Sequence, residues 1–203
     1  MAELGYILKG DLLKEINADT LTELTGGKQA IGSNIAVAGN DSVWKNNVKG
    51  AVDYVQGYTR HWYDMEAELR SIKAFNLIDT FVSGDRIANT ADSLGFQTIY
   101  KCKLESTGNV ITDTDFFEEY DDRENRLVEI VCIIIIYNLS RRYNPRQIPE
   151  QRQIDYDVAI KDLEKIQKGI ISLNIAERSS VTSEDPGFEQ IYGDFDNVTQ
   201  DLY

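Results

Sequence analysis

At 203 residues and 23.0 kDa the chain can form one domain with a full core, or one domain carrying a long appendage. Hydrophobic residues at 42% and charged residues at 27% sit near the globular average, which excludes wholesale disorder and fibrous repeats. With 21 Lys and Arg against 34 Asp and Glu, the net charge of −13 opposes phosphate backbones. Gripping DNA by phosphate neutralisation is therefore disfavoured, although such a chain can surround DNA without holding it.

The longest apolar run, Val128 to Tyr137, falls well short of the roughly 20 residues a membrane helix needs. Met1-Ala2-Glu3-Leu4-Gly5 has neither a basic flank nor an apolar signal segment, so neither insertion nor export is expected. Cys102 and Cys132 fall in different predicted elements, outside any CxxC or Cys/His spacing. Two free thiols in a reducing compartment are expected, with one bridge as the alternative.

In chain order, Gly10 to Ile16 and Asp19 to Leu24 predict two short helices, with Asp11, Asp19 and Thr20 as candidate caps and Gly26-Gly27 as the stop. Residues 28–41 are small and polar and predict a surface loop. From Ser42 to about Ile72, apolar residues at Trp44, Val48, Ala51, Val55, Tyr58, Trp62, Met65 and Leu69 keep a three-four spacing that predicts one long amphipathic helix. Gly50 and Gly57 within it would mark close packing or a weak point.

The period then changes. Gln97 to Leu104 alternates at period two, and Ser106-Thr107-Gly108-Asn109 before Val110-Ile111 reads as a hairpin connection, so a small β flap is expected inside a helical protein. The acidic stretch Asp113 to Asp122 leads out of it. Arg126 to Arg142 is apolar nearly all round. Its β-branched residues favour strand, while its length, acidic start and Arg141-Arg142 end favour a buried central helix, which is the expectation adopted. Pro149 opens a last helix with the stripe Tyr156, Ala159, Ile160, Leu163, Ile166 and Ile170, and Gly169 is its natural stop.

The fold class expected is thus mainly α: a bundle of about four to five helices over residues 1–176, with an inserted loop and β-hairpin flap at 73–120 and an extended tail at 177–203. That tail holds seven acids and one base, Arg178, among Phe188, Ile191, Tyr192, Phe195, Val198, Leu202 and Tyr203. Such a segment either stays solvated or orders against a partner.

No glycine-rich phosphate loop, GxSxG elbow, HExxH or zinc spacing occurs, and His61 is the one histidine. Neither a catalytic residue nor a cofactor or metal site is assigned, and an enzyme is not expected. The acids Asp113, Asp115, Glu118, Glu119, Asp121 and Asp122 could hold a divalent cation, but they lack the glycine and alternate-oxygen spacing of a calcium loop and read more simply as a solvated turn.

Two stretches together resemble a known family. Residues 51–64, AVDYVQGYTRHWYD, resemble a helix of phage head-to-tail connector proteins of the Mu-like type, in which alanine, an aliphatic, a tyrosine and a final Tyr-Asp recur. Residues 121–169 resemble the same family's second half. Asp121-Asp122-Arg123-Glu124-Asn125 precedes the buried helix, Tyr137 to Arg142 ends it, and Pro145 to Arg152 leads to Tyr156 to Ile160 and the closing Lys168-Gly169. The acidic tail exceeds the family pattern, and the flap is closer to larger versions from phages of Bacteroides-type hosts.

The resemblance implies a virion structural protein made in the host bacterial cytoplasm. It would be a neck adaptor that docks on the portal protein, closes a ring of identical copies, commonly twelve, meets further neck or tail proteins, and extends the DNA channel. DNA would pass without specific binding, and no membrane or cofactor is implied. For such a ring, Arg141, Arg142, Arg146 and Arg152 are candidate partners of acids such as Asp121 and Asp122, across or within subunits. Helix-terminal charges without a partner role are the alternative. Phe188, Tyr192, Phe195 and Tyr203 are candidate contacts of the tail. The rival reading is a soluble helical interaction module that binds a partner through this acidic aromatic tail.

Overall fold

The computed structural model describes residues 3–24, 42–93 and 95–177. Six helices and seven strands occur in them: β1 (Glu3–Gly5), α1 (Lys9–Glu15), α2 (Ala18–Leu24), α3 (Ser42–Thr59), α4 (Met65–Glu68), β2 (Ile72–Ala74), β3 (Thr80–Phe81), β4 (Arg86–Ala88), β5 (Ile99–Cys102), β6 (Ser106–Thr107), β7 (Phe117–Glu119), α5 (Asn125–Tyr143) and α6 (Glu150–Gln167). The fold is mixed α/β, which corrects the mainly helical expectation. Where a hairpin flap was predicted there is a five-stranded sheet of order β1-β2-β4-β5-β7, with a separate two-stranded sheet β3-β6.

The predicted hairpin does not form. β5 pairs antiparallel with β4 and β7, while β6 pairs with β3. β2 and β4 run parallel, and β1, from the chain start, closes the far edge against β2. Strands of two to four residues complete barely one alternation of side chains, so their period is invisible in sequence.

The helical layer follows its pattern more closely. α5 is the central buried helix, with Leu127, Val131, Ile135 and Leu139 fully enclosed and Glu124 as its N-cap. Packed on it are α1, α3 and α6, the last through Ala159, Leu163 and Ile166. Tyr137 and Tyr156 stack with centroids 4.0 Å apart. Gly169, at φ +69°, closes α6 in the left-handed conformation.

The single long helix over 42–72 is also corrected. α3 ends at Thr59, whose hydroxyl turns back to donate to the Val55 carbonyl. Asp64 then caps the one-turn α4 by accepting from Ala67 N–H, and Ile72 has already entered the sheet. The apolar spacing persists across the break because the same core lies on one side of both segments. Gly50 and Gly57 are exposed, with open space where a side chain would stand, so neither marks close packing.

At the N-terminus the two short helices form as expected; Asp11 takes part in capping α1 from its third position, with Leu8 as the N-cap, and Asn17 rather than Asp19 or Thr20 supplies the capping side chain of α2. Asp11 reaches back to Leu8 N–H at 2.8 Å, and Asn17 accepts from Thr20 N–H at 2.8 Å. Gly10 lets α1 lie on the loop before β5, since a Cβ there would stand 3.2 Å from the Phe96 ring. The predicted 28–41 loop lies outside the described residues.

Candidate functional site

Between the two layers lies a buried ionic cluster. Arg123, immediately before the N-cap of α5, is 2% exposed and uses all five of its N–H groups. It grips Asp11 with Nη1 at 2.7 Å and Nη2 at 3.1 Å, and Asp121 with Nε at 2.9 Å and Nη2 at 2.7 Å, and it donates to the Tyr6 carbonyl at 2.8 Å. Arg86 in β4 is the second centre. It binds Asp122, the Glu68 carbonyl and, at 3.1 Å, the Glu68 carboxylate.

The carboxylates have further partners. Glu68 accepts from Tyr6 hydroxyl at 2.8 Å and from Glu124 N–H at 2.9 Å, while Asp122 accepts from Arg70 at 3.0 Å and stands 3.6 Å from Lys101 Nζ. Burial, followed by the Glu68 carboxylate, pushes the Tyr6 phenol well above its ordinary value. Burial alone would raise Asp121, but the hydrogen bonds and charge of Arg123, helped by Arg86, hold it below its ordinary value. This is a clamp. It fixes α1, α4, β4 and the start of α5 to one another, with each of the carboxylates Asp11, Glu68, Asp121 and Asp122 held by a guanidinium.

The predicted site residues therefore separate. Asp121 and Asp122 face Arg123, Arg86, Arg70 and Lys101 of their own chain rather than Arg141, Arg142, Arg146 or Arg152. Arg152 donates to the Ser140 hydroxyl at the opposite end of α5. Arg141 and Arg142, in the last turn of α5, and Arg146, in the following turn, point into solvent and carry no ion pair among the described residues. Phe188, Tyr192, Phe195 and Tyr203 lie outside the described residues. Nothing in the sequence singles out Arg86 or Glu68, because a buried ion pair between distant positions leaves no spacing; Asp11 is legible only as a helix cap, and Arg123 stands in the segment Asp121 to Asn125 without any role attached.

Two surfaces suit contact with another molecule. On the outer side of the sheet, Phe81 of β3 covers Ile87, Cys102 and Phe117, and the loops flanking β3 and β6 expose Leu77, Ile78, Val82, Leu104 and Val110, with Ile78 81% accessible. The loops are stitched together by Gly108 N–H to Leu77 carbonyl, and by the Thr80 and Thr107 hydroxyls 2.8 Å apart. On the helical side, a groove of about 420 Å³ runs between the α1–α2 turn and the α5–α6 pair, floored by Ile16, Ile133, Ile136 and Pro149. Among the described residues no group of three or more His, Cys, Asp or Glu is arranged to hold a metal ion, and no helix is long and apolar enough to cross a membrane.

No curated protein and no solved structure matches the chain. Residues 124–190 match the family model described as Bacteriophage Mu, Gp36. The matched segment starts at the N-cap of α5, takes in α5 and α6 whole, and runs on past Glu177. This chain is, over that third of its length, similar to a phage Mu protein family, and the similarity supports a Mu-like phage protein.

Proposed function

We propose that the chain is a non-enzymatic virion structural protein, a head-to-tail connector that docks on the portal as a ring of identical copies and continues the DNA channel. The observation that carries this reading is the match to the phage Mu family over α5 and α6, the helices on which the resemblance to connector proteins also rests. Two physical features support it. A subunit of charge −13, repeated around a ring, repels DNA and lets it slide where a basic wall would hold it. The exposed Leu77, Ile78, Val82, Leu104 and Val110 supply an apolar surface of the sort a ring contact or portal contact buries.

The test is gradient sedimentation of the protein with the portal protein of the same genome, followed by electron imaging. A joint peak containing a second ring stacked on the portal is the expected result. Ile78→Ser with Leu104→Ser should leave the subunit folded, since both side chains are exposed, while lowering the yield of rings. Failure to associate across a range of salt would overturn the connector reading in favour of a soluble interaction module, and the helical similarity would then record a shared scaffold.

A further inference from the structure

We infer that the acidic aromatic segment 184–203 docks on the corner formed by Arg141, Arg142 and Arg146 of its own chain. The corner is the exposed C-terminal end of α5 and the turn after it, three guanidinium groups with no carboxylate partner among the described residues. Beside it stand the half-exposed Tyr143 ring and the exposed Pro145. In a chain of net charge −13, three exposed arginines within six positions, with Glu23 nearby engaged by the Tyr143 hydroxyl, attract an acidic peptide.

The path of the backbone makes the segment the natural occupant. The described chain leaves at the opposite end of α5: Asn174 N–H donates to Glu124 at the N-cap, Ala176 carbonyl accepts from Asp64 N–H, and Glu177 bridges to Tyr63. The 19 residues of α5 separate that exit from the corner by about 28 Å. Eight or nine extended residues, at roughly 3.3 Å each, cover this distance. Eight residues past Glu177 is Asp185, so the corner is within reach of the stretch that carries Glu184, Asp185, Phe188, Glu189, Tyr192, Asp194, Phe195 and Asp196.

The chemistry is complementary as well. Carboxylates accept paired N–H donors from a guanidinium, and aromatic rings lie on its flat face. Tethering raises the effective concentration to the millimolar range, so contacts that are weak singly suffice within one chain. The match to the phage Mu family also continues from α5 through residue 190, placing the start of the segment in the same matched unit as the arginines. The inference stands independently of the connector reading, since it concerns the free chain.

The full-length chain is treated with chymotrypsin at low ratio, and cleavage after Phe188, Tyr192 and Phe195 is followed by mass spectrometry. Cleavage of a docked segment tracks the fraction undocked. Arg141→Glu, Arg142→Glu and Arg146→Glu together should speed cleavage by about tenfold or more, as should Glu184→Lys, Asp185→Lys and Glu189→Lys together. Combining both sets should restore slow cleavage. The same three arginines changed to Gln, which keeps helix-forming residues at the site, should also speed it, with circular dichroism showing an intact fold. Equal rates in wild type and in the Glu and Gln variants, or no restoration on combining the reversals, would overturn the docking. Protection that grows with protein concentration would assign the corner to a neighbour's segment and overturn the same-chain assignment.

Discussion

The helical layer and the sheet hold themselves together by different means. Around α5 the core is a continuous set of aliphatic side chains drawn from α1, α2, α3, α5 and α6, a volume filled by dispersion and closed to water. The sheet has two small apolar clusters instead, one on each face: Leu8, Ile72, Ala88 and Ile99 on one, Phe81, Ile87, Cys102 and Phe117 on the other. Strands this short cannot bury enough to stand alone. What fixes the sheet to the helices is the pair of buried arginines, Arg86 and Arg123. The helical layer should therefore tolerate lost methylenes better than the junction tolerates a lost charge.

The sharpest way to break that contrast is Arg123→Ala, which leaves Asp11 and Asp121 without their shared cation. Removing one member of a buried ion cluster should cost about 3–5 kcal/mol, read as a lowered urea midpoint, and Arg123→Lys should recover only part because an ammonium cannot grip two carboxylates at once. Leu163→Ala, at a fully buried site on α6, should cost about 3 kcal/mol through its cavity. A larger loss for Leu163→Ala than for Arg123→Ala would reverse the comparison.

Acid and alkali probe the junction without mutation. Asp121 has its carboxyl held below its ordinary value of 3.8, so its contribution is complete above that pH and is lost as the pH falls through the lower folded value. Tyr6 is shifted the other way from 10.0, so its contribution is complete below pH 10 and is lost as the pH rises beyond it. Urea midpoints measured from pH 3 to pH 11 should form a plateau that falls at both ends. Asp121→Asn should flatten the acid side, and Tyr6→Phe the alkaline side.

The smallest effect is expected on the helical surface. Arg126 reaches Asp162 at 2.7 Å, but it is 43% exposed, and pairs of this kind contribute about 0.2–1 kcal/mol. Arg126→Ala should shift the midpoint barely at all at 0.5 M salt. A loss as large as that of Arg123→Ala would show that exposure does not separate the two arginines.

How much of this was legible follows from the range of each interaction. Leu127, Ile135 and Leu139 announce a buried helix because their neighbours along the chain are apolar too, and the Arg141-Arg142 end outweighs the β-branched residues once length is considered. The break at Thr59 was hidden, since Tyr58, Trp62, Met65 and Leu69 keep helical spacing across it. Only the exposed heads of Arg141, Arg142 and Arg146 were legible at the candidate contact surface, as charges following an apolar run. The exposed Leu77 and Ile78 read no differently in sequence from core residues.

The amino-acid sequence by itself determined the composition class, the acidic charge, the two long C-terminal helices and the similarity they carry, because these depend on residues close together in the chain. Only the tertiary structure decided the sheet and the clamp. β1 reaches β2 across 70 positions in the pair Glu3 and Lys73, and Asp11 reaches Arg123 across 112. Contacts that far apart are selected by which surfaces can be buried together and which charges can be matched there, and no local pattern records that choice.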